Sequence, residues 1–282
     1  MKQIVIISGK GGTGKTILTA SFAALAKNAS YADCDVDAAD LYLLLKPELI
    51  EQHKFKSGKT AKIDKELCQE CDECINVCRF NAVSKDFIVD SISCEGCGIC
   101  DLICPASAIR MEENVSGEWF ISSTKYGPMV HAKLGIAEEN SGKLVTLVRQ
   151  KAKKIAEEEN RDYVIIDGPP GIGCPVIASL ANVDLALIVT EPTLSGIHDM
   201  ERIADVTKHF GVHTKVIINK YDINLKNTQH IRKICQDRDI EVLAKLPFSE
   251  KVIKSLVKCI PVVEYCQDQI TKDITILWEK IK

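Results

Sequence analysis

The sequence lacks long hydrophobic runs: its most apolar stretches, 4–7 and 185–189, are far shorter than the ~18 residues that a membrane-spanning helix needs. It also lacks an excess of charge, since 36 basic residues face 39 acidic ones. This balance gives no general electrostatic reason for binding to nucleic acid or to a membrane surface. The first residues enter a strand-like pattern without the apolar segment and cleavage site of an export signal, so we predict a cytoplasmic protein.

The cysteine content is unusual for an otherwise ordinary globular composition with 46% hydrophobic and 27% charged residues. Eight of the thirteen cysteines fall within 68–104. Dense thiols in a reducing compartment are more often metal ligands than disulfides. The eight form two runs with the spacing C-x2-C-x2-C-x3-C, which are Cys68, Cys71, Cys74, Cys78 and Cys94, Cys97, Cys100, Cys104. This spacing is typical of bacterial ferredoxins that bind two [4Fe–4S] clusters.

In such a double run the fourth cysteine of each run ligates the other cluster. We therefore predict a first cluster with the ligands Cys68, Cys71, Cys74 and Cys104, and a second with Cys94, Cys97, Cys100 and Cys78. Two structural zinc sites are the alternative, although zinc usually takes its ligands as two separated pairs rather than as triplets with two-residue gaps.

A phosphate-binding loop follows the first predicted strand, and a helical pattern then runs to residue 27. Its glycines allow backbone N–H groups to surround an anion at the helix N-terminus. Lys15 is positioned to reach the β- and γ-phosphates, and the Thr16 hydroxyl to hold Mg²⁺. We predict nucleotide binding by the whole loop, which is Gly9, Lys10, Gly11, Gly12, Thr13, Gly14, Lys15 and Thr16.

A second lysine, Lys10, distinguishes this loop from an ordinary phosphate loop. The sequence from Lys10 to Thr16 resembles the deviant Walker A motif of the MinD, ParA, Mrp and nitrogenase iron-protein class of ATPases. The resemblance implies an ATP-dependent homodimer in which Lys10 crosses the interface to the partner's nucleotide and acts in catalysis with Lys15. A solvated loop lysine is the alternative for Lys10.

Two acidic motifs extend the resemblance. The stretch 33–37 is similar to the first switch of the class, in which the second acidic residue orients or activates the attacking water, and this implies a catalytic role for Asp35. A helix cap is the alternative for Asp33 and Asp37. The stretch 163–173 is similar to the Walker B strand and second switch, which implies that Asp167 lies in the outer shell of the Mg²⁺.

A base-recognition loop is expected where Asn219 and Asp222 follow a buried strand. Taken alone, the sequence Asn219-Lys220-Tyr221-Asp222 suggests guanine, as in an ordinary GTPase. In the deviant Walker A class the corresponding asparagine holds adenine, so the resemblance favours ATP. Pro247, directly after a strand predicted at 242–246, is the last residue that we assign to the nucleotide.

The architecture follows from alternating strand and helix patterns. Strands are predicted at 3–7, 30–34, 163–166, 185–190, 215–219 and 242–246, and helices at 16–27, 143–159, 196–210, 225–237 and 249–258. This alternation predicts an α/β fold with a doubly wound, mostly parallel sheet of the P-loop NTPase type.

The cysteine segment interrupts this alternation. We predict a discontinuous ATPase domain, 1–52 and 136–282, with an inserted ferredoxin-like α+β domain at 53–135 that is entered through a polar segment and left through a strand pair. The arrangement resembles MinD-superfamily ATPases that carry an inserted ferredoxin domain, over nearly the whole chain.

Two further features leave alternatives open. One helical face near the C-terminus is apolar and consists of Ile270, Ile274, Leu277, Trp278 and Ile281. In MinD a C-terminal amphipathic helix docks on a membrane. Because few lysines flank the helix here, we expect this face to pack on the protein's own core instead. Cys174 lies at the offset from Asp167 at which the nitrogenase iron protein has a cluster ligand. No second such ligand is evident, so we expect Cys174 to be a buried apolar thiol.

These features predict an ATP-hydrolysing iron–sulfur protein with ATP, Mg²⁺ and two [4Fe–4S] clusters, in which the nucleotide state is coupled to electron transfer to a redox partner. A cluster carrier that delivers to an acceptor protein is one alternative, although Cys259 and Cys266 lack the Cys-x-x-Cys spacing of Mrp-type carriers. A MinD-like positioning switch with the clusters as sensors is another. We expect neither nucleic acid nor a membrane among the partners.

Overall fold

The computed structural model describes residues 1–135 and 141–282. The strands are β1 (Lys2–Ser8), β2 (Ala29–Asp33), β3 (Glu48–Ile63), β4 (Ile109–Thr124), β5 (Gly127–Leu134), β6 (Tyr163–Pro170), β7 (Leu185–Thr190), β8 (Thr214–Asn219) and β9 (Glu241–Leu246). The α-helices are α1 (Lys15–Leu25), α2 (Leu41–Leu45), α3 (Glu73–Val77), α4 (Ile99–Ile103), α5 (Ser141–Glu158), α6 (Cys174–Leu180), α7 (Leu194–His209), α8 (Leu225–Asp237), α9 (Glu250–Val257), α10 (Val262–Tyr265) and α11 (Gln269–Glu279).

The strands form one sheet in the order β3-β4-β5-β2-β6-β1-β7-β8-β9. From β5 to β9 all neighbours in this order are parallel. The predicted α/β fold with a mostly parallel sheet is therefore confirmed. The short helix α6, between β6 and β7, was not predicted, because its seven residues are too few for a clear helical period.

The central strands are buried on both faces, which explains their continuous apolar sequence. Ile4, Val5, Ile6 and Ile7 of β1 are all fully buried, as expected when helices cover both sides of a parallel sheet. Ser8 and Asp33 are the last residues of β1 and β2, and Asp167 of β6 lies beside Asp33 in the sheet. In parallel sheets the edge formed by the carboxyl ends of the strands is where ligands bind.

The last helix, α11, packs on the core as expected. Its Trp278 ring centroid lies 5.4 Å from that of Phe22 and 5.3 Å from that of Tyr163. The five predicted apolar residues, Ile270, Ile274, Leu277, Trp278 and Ile281, are all buried. Among the described helices, none has the length and apolar character needed to cross a bilayer.

The chain divides into two compact units. Unit 1 contains Met1–Gln52, Trp119–Lys133 and Ser141–Lys282, and unit 2 contains His53–Glu118 with a short segment from Leu134 onward. This division differs from the predicted insert at 53–135, because β5 is hydrogen-bonded to β2 of unit 1 through Met129 and Val130. The polar entry segment at 53–59 also differs from expectation, since it lies within strand β3.

Unit 2 contains an internal repeat of 26 residues (94 − 68). Helix α3 follows Asp72, which has a φ of 61°, and α4 follows Gly98, which has a φ of 75°. The amide of Asp64 donates to the carbonyl of Ala108 at 2.7 Å, and the amide of Asp90 donates to that of Ala82 at the same distance. Each half therefore supplies a turn, a short helix and a reciprocal backbone hydrogen bond to the other half.

Candidate functional site

The phosphate-binding loop joins the end of β1 to the start of α1. Gly14, the residue before the helix, has a φ of 98°, and a Cβ atom there would lie 2.5 Å from Nδ2 of Asn219. That amide donates to the Thr13 carbonyl at 2.8 Å. The Thr13 hydroxyl is buried and has no hydrogen-bond partner within the described part of the chain. A bound phosphate oxygen would supply the missing partner, so the loop fits an anion.

A cleft of about 620 Å³ opens beside the loop, a volume within the usual range for small-molecule sites. Lys15 and Thr16 line this cleft, and Asp35, on the chain after β2, lines it with them. Pro169 and Pro170, the last two residues of β6, and Pro175 of α6 form part of the wall. Three residues predicted to bind phosphate, magnesium and water are therefore brought to one cavity.

Two buried carboxyl groups lie behind the cleft, at the ends of β2 and β6. Burial raises the pKa of Asp167 to about 6, although hydrogen bonds from Thr16 and Thr19 and the charge of Lys15 lower it. Burial, and then the charge of Asp167, raise the pKa of Asp33 well above its usual range. Two such carboxyls beside a phosphate loop fit a divalent cation, and Thr16 and Asp167 are the residues that would hold it.

Thr19 is a residue that the sequence interpretation missed. Its hydroxyl lies 2.9 Å from Oδ1 of Asp167 and also donates to the Lys15 carbonyl at 3.0 Å. The signal was present, because Thr19 lies one helical turn after Lys15 on the same face of α1. Thr19 therefore fixes the orientation of the Asp167 carboxylate.

Two acidic residues of the first switch, Asp33 and Asp35, have different surroundings. Asp33 accepts hydrogen bonds from the amides of Asp35 and Leu41, each at 3.2 Å, and so binds the first residue of α2. Of the alternatives left open by the sequence, a capping role thus fits Asp33. Asp35 lines the cleft, where burial raises its pKa and Lys15 lowers it.

Lys10 contacts residues of its own chain. Its Nζ lies 3.2 Å from the Thr193 hydroxyl, 3.3 Å from the Ser195 hydroxyl and 3.7 Å from a Glu191 carboxylate oxygen. Lys220 pairs with the same Glu191. These acceptors follow the carboxyl end of β7, next to β1 in the sheet, and the sequence interpretation did not include them. With its side chain 31% exposed, Lys10 remains at the surface.

The predicted base-binding residues are held in two separate contacts. Asn219 binds the phosphate loop through Thr13, as described above, and its Oδ1 accepts from the amide of Lys220 at 3.0 Å. Oδ1 of Asp222 accepts from the amide of Phe248 at 2.8 Å. Asp222 is therefore bonded to the segment that begins with Pro247, which brings the ends of β8 and β9 together.

In unit 2 the eight clustered cysteines line two small cavities. One is lined by Cys68, Cys71, Cys74 and Cys104, and the other by Cys78, Cys94, Cys97 and Cys100. The fourth cysteine of each run thus lies with the three leading cysteines of the other run. Among the described residues, no three His, Cys, Asp or Glu side chains converge as they would around a single metal ion.

The crossing cysteines have equivalent hydrogen bonds. The amide of Ala82 donates to Sγ of Cys78 at 3.4 Å, and the amide of Ala108 donates to Sγ of Cys104 at 3.3 Å. Burial raises the pKa of the Cys74 and Cys100 thiols. Four thiols around each cavity, with an N–H donor to one sulfur, form a donor set that fits a cluster with cysteine ligands.

Comparison with known proteins places this chain in a family. A profile of the CobQ/CobB/MinD/ParA nucleotide-binding domain matches residues 4–262. The chain belongs to the CobQ/CobB/MinD/ParA family. An uncharacterized protein of Methanocaldococcus jannaschii is 33% identical over 288 residues, which cover 99% of this chain and 96% of the relative.

Two further matches are a solved structure and a protein that is similar to part of this chain. The structure of MinD complexed with Mg-ADP from Pyrococcus horikoshii has a TM-score of 0.61 and 17% identity, covering 100% of this chain and 96% of that one, so the fold is shared. Pyruvate synthase subunit PorD of Methanothermobacter marburgensis is 40% identical over 68 residues, which cover 23% of this chain and 84% of that subunit.

One expectation about this CobQ/CobB/MinD/ParA family member was wrong. Cys174 is exposed, although a buried apolar thiol was predicted. It is the first residue of α6, and Gly173 before it is also exposed, so the helix begins at the surface. The sequence signal was misleading because the apolar residues that follow Cys174 belong to the buried part of a very short helix.

Proposed function

We propose that this protein is a homodimeric ATPase in which the nucleotide state controls electron transfer through two [4Fe–4S] clusters. The observation that carries the proposal is the arrangement of eight cysteines around two cavities in a chain that also has a nucleotide cleft. The similarity to PorD over 68 residues also supports an iron–sulfur part in this chain.

At the nucleotide cleft each residue has a role that its position supports. Lys15 would bind the β- and γ-phosphates of ATP, and Thr16 and Asp167 would hold Mg²⁺, which would neutralise charge on the phosphate oxygens. Asp35 orients or activates the attacking water. Lys10 leaves Glu191 and Thr193 and reaches the nucleotide of the second subunit when the dimer forms.

The cysteine-rich unit supplies the ligands, and [4Fe–4S] clusters, when bound, supply one-electron transfer. The ligands of one cluster are Cys68, Cys71, Cys74 and Cys104, and those of the other are Cys94, Cys97, Cys100 and Cys78. The amides of Ala82 and Ala108 stabilise the negative charge on the crossing sulfurs, and such bonds raise the reduction potential.

The connection between the two functions lies in the order of the chain. The chain enters unit 2 after β2, the Asp35 switch and α2, and it re-enters unit 1 before β6, which carries Asp167. Both junctions therefore adjoin elements whose positions depend on the nucleotide in proteins with switch loops. A shift in either element alters the position or the solvation of the cysteine ligands.

Redox titration of the anaerobic protein in the nucleotide-free, MgADP and non-hydrolysable MgATP-analogue states tests the proposal. We expect at least one cluster potential to differ between the last two states by tens of millivolts, and ~60 mV corresponds to about 1.4 kcal/mol for one electron. The Lys15→Ala variant is the control, since its potentials should not respond to nucleotide. Equal potentials and equal rates of iron chelation in all three wild-type states would refute the coupling. Transfer of intact clusters to an acceptor lacking them would favour a carrier instead.

A further inference from the structure

Arg149, on α5, is a buried cation that caps another helix. It is 7% exposed, its Nη1 donates to the Ala178 carbonyl at 2.6 Å, and its Nη2 donates to the Ala181 carbonyl. Both acceptors are at the end of α6, where carbonyls lack partners within the helix and carry partial negative charge. Within the described part of the chain, no carboxylate pairs with this guanidinium.

Helices α5 and α6 also meet at their N-terminal ends. A Cβ atom at Gly142, the second residue of α5, would lie 3.4 Å from Cβ of Cys174, the first residue of α6. The helices therefore run in the same direction, with one contact at the start of α6 and the Arg149 contact at its end. A Cβ atom at this distance makes ordinary van der Waals contact, so the two helix starts are packed against each other without overlap.

Each of these helices is connected to a different functional part. Helix α6 follows the Asp167 loop, which is the segment from Asp167 in the last part of β6 to Gly173. In this segment the Gly171 amide donates to the Ser8 carbonyl at 2.9 Å, and Pro175 of α6 lines the nucleotide cleft. Helix α5 is the first helix after the chain leaves unit 2. Helix α5 is also attached to β2, because the Ser30 hydroxyl donates to the Ala152 carbonyl at 3.1 Å.

We propose that Arg149 is a positioning residue that makes α5 move with α6 when the Asp167 loop responds to the nucleotide. The inference rests on the proposed function and specifies the route by which the nucleotide site influences the chain that leads from unit 2. It assigns this role to one side chain rather than to packing in general.

The reason is the chemistry of a buried guanidinium. If α6 moved without α5, Arg149 would lose both carbonyl acceptors in a place where water does not replace them. Its Nε is already buried without a partner among the described residues, so the surroundings offer this guanidinium no spare acceptor to replace the two carbonyls. Independent motion of the helices therefore costs the free energy of burying a guanidinium without acceptors, and joint motion does not.

Amide hydrogen exchange of the full-length, cluster-loaded protein tests this inference. Peptides from α5 and α6 are compared between the MgADP state and the state with a non-hydrolysable ATP analogue. In the wild type we expect the exchange of both helices to change by at least threefold. In Arg149→Met the α6 response should persist and the α5 response should be lost, and Arg149→Lys, which keeps the charge but not the fork, should restore part of it.

Lys154→Met is the matched control, because Lys154 is an exposed cation on the same helix and pairs only with Glu158 at 3.5 Å in the described part of the chain. It should behave as the wild type. An α5 response that is absent in the wild type, or unchanged in both Arg149 variants, would overturn the inference. Cluster potentials measured on the same samples distinguish the two proposals. If the potentials do not change with the nucleotide while the exchange of α5 does, the redox coupling is refuted and the role of Arg149 is retained.

Discussion

Asp33 and Asp167 are direct neighbours in register on the adjacent parallel strands β2 and β6, and both side chains are buried. Burial raises the pKa of both carboxyl groups, and the charge of Asp167 raises that of Asp33 further, so both bind a proton more tightly than they would in water. A divalent cation beside them relieves the repulsion between the ionised groups. The negative charge of this buried pair is therefore offset either by a bound proton or by a cation such as Mg²⁺.

The first prediction concerns this dependence. The pKa of Asp167 rises from 3.8 to about 6 on folding, so its contribution to the free energy of unfolding is present below about pH 4 and is lost as the pH rises through about 6. Between pH 5 and pH 7.5, wild type without Mg²⁺ should lose roughly 1 kcal/mol more stability than Asp167→Asn. Denaturant unfolding with and without Mg²⁺ measures this. An identical pH profile for the two proteins would contradict the prediction.

The second prediction separates the two loop lysines. Lys15, 5% exposed in the cleft, should be essential for binding, and Lys15→Ala should weaken ATP affinity about 10- to 100-fold because it deletes a charge-assisted contact. Lys10→Ala should retain ATP binding and lose ATP-dependent dimerisation and hydrolysis. Sedimentation in an Asp35→Asn background, in which hydrolysis is blocked, is the measurement. If Lys10→Ala dimerises with ATP as well as its parent does, the role of Lys10 across the interface is excluded.

The third prediction concerns the crossing cysteines. Anaerobic protein should contain about eight iron and eight sulfide per chain, as two [4Fe–4S] clusters require. Cys78→Ser should alter the spectrum of the cluster held by Cys94, Cys97 and Cys100, and the exposed Cys174→Ser should alter neither cluster. Electron paramagnetic resonance of the reduced protein distinguishes the two clusters. Stoichiometric zinc without sulfide, or a response confined to the first cluster, would be incompatible with the assignment.

The fourth prediction concerns the choice between adenine and guanine. Asp222 accepts from the amide of Phe248, so we expect it to hold the loop rather than to read a base. Asp222→Asn keeps a carbonyl acceptor and should bind ATP normally, whereas Asp222→Ala should weaken ATP and GTP binding equally, by a few-fold. Competition titrations with both nucleotides provide the comparison. A change in the ratio of ATP to GTP affinity in Asp222→Asn would mean that the carboxylate contacts the base.

The parts of the molecule that sequence reasoning predicted well are those encoded locally. The strand, loop and helix from β1 to α1 form a contiguous motif, and the central strands have continuous apolar runs because helices cover both faces of the sheet. The spacing of the two cysteine runs predicts that Cys104 lies with Cys68, and both line one cavity; their role as cluster ligands stays a prediction.

The parts that it missed depend on contacts between distant segments. Glu191 meets Lys10 only because β7 lies beside β1 in the sheet, and no local pattern records that neighbour. The unit boundary near Trp119 depends on the pairing of β5 with β2. The exposure of Cys174 depends on where a seven-residue helix begins, which is within the usual uncertainty of element boundaries.

The strand order has a consequence for how the chain is made. Strands β1 and β2 leave the ribosome before the other described strands, but they are not neighbours, because β6 lies between them. The central part of the sheet therefore cannot form until β6, which ends at residue 170, has been synthesised. The reciprocal hydrogen bonds of the 26-residue repeat, which lie between Asp64 and Ala108, can form earlier. Contacts that close short loops form faster than those that close long ones. We expect the cysteine-rich unit to acquire its structure during translation, while the two strands that precede it are still unpaired.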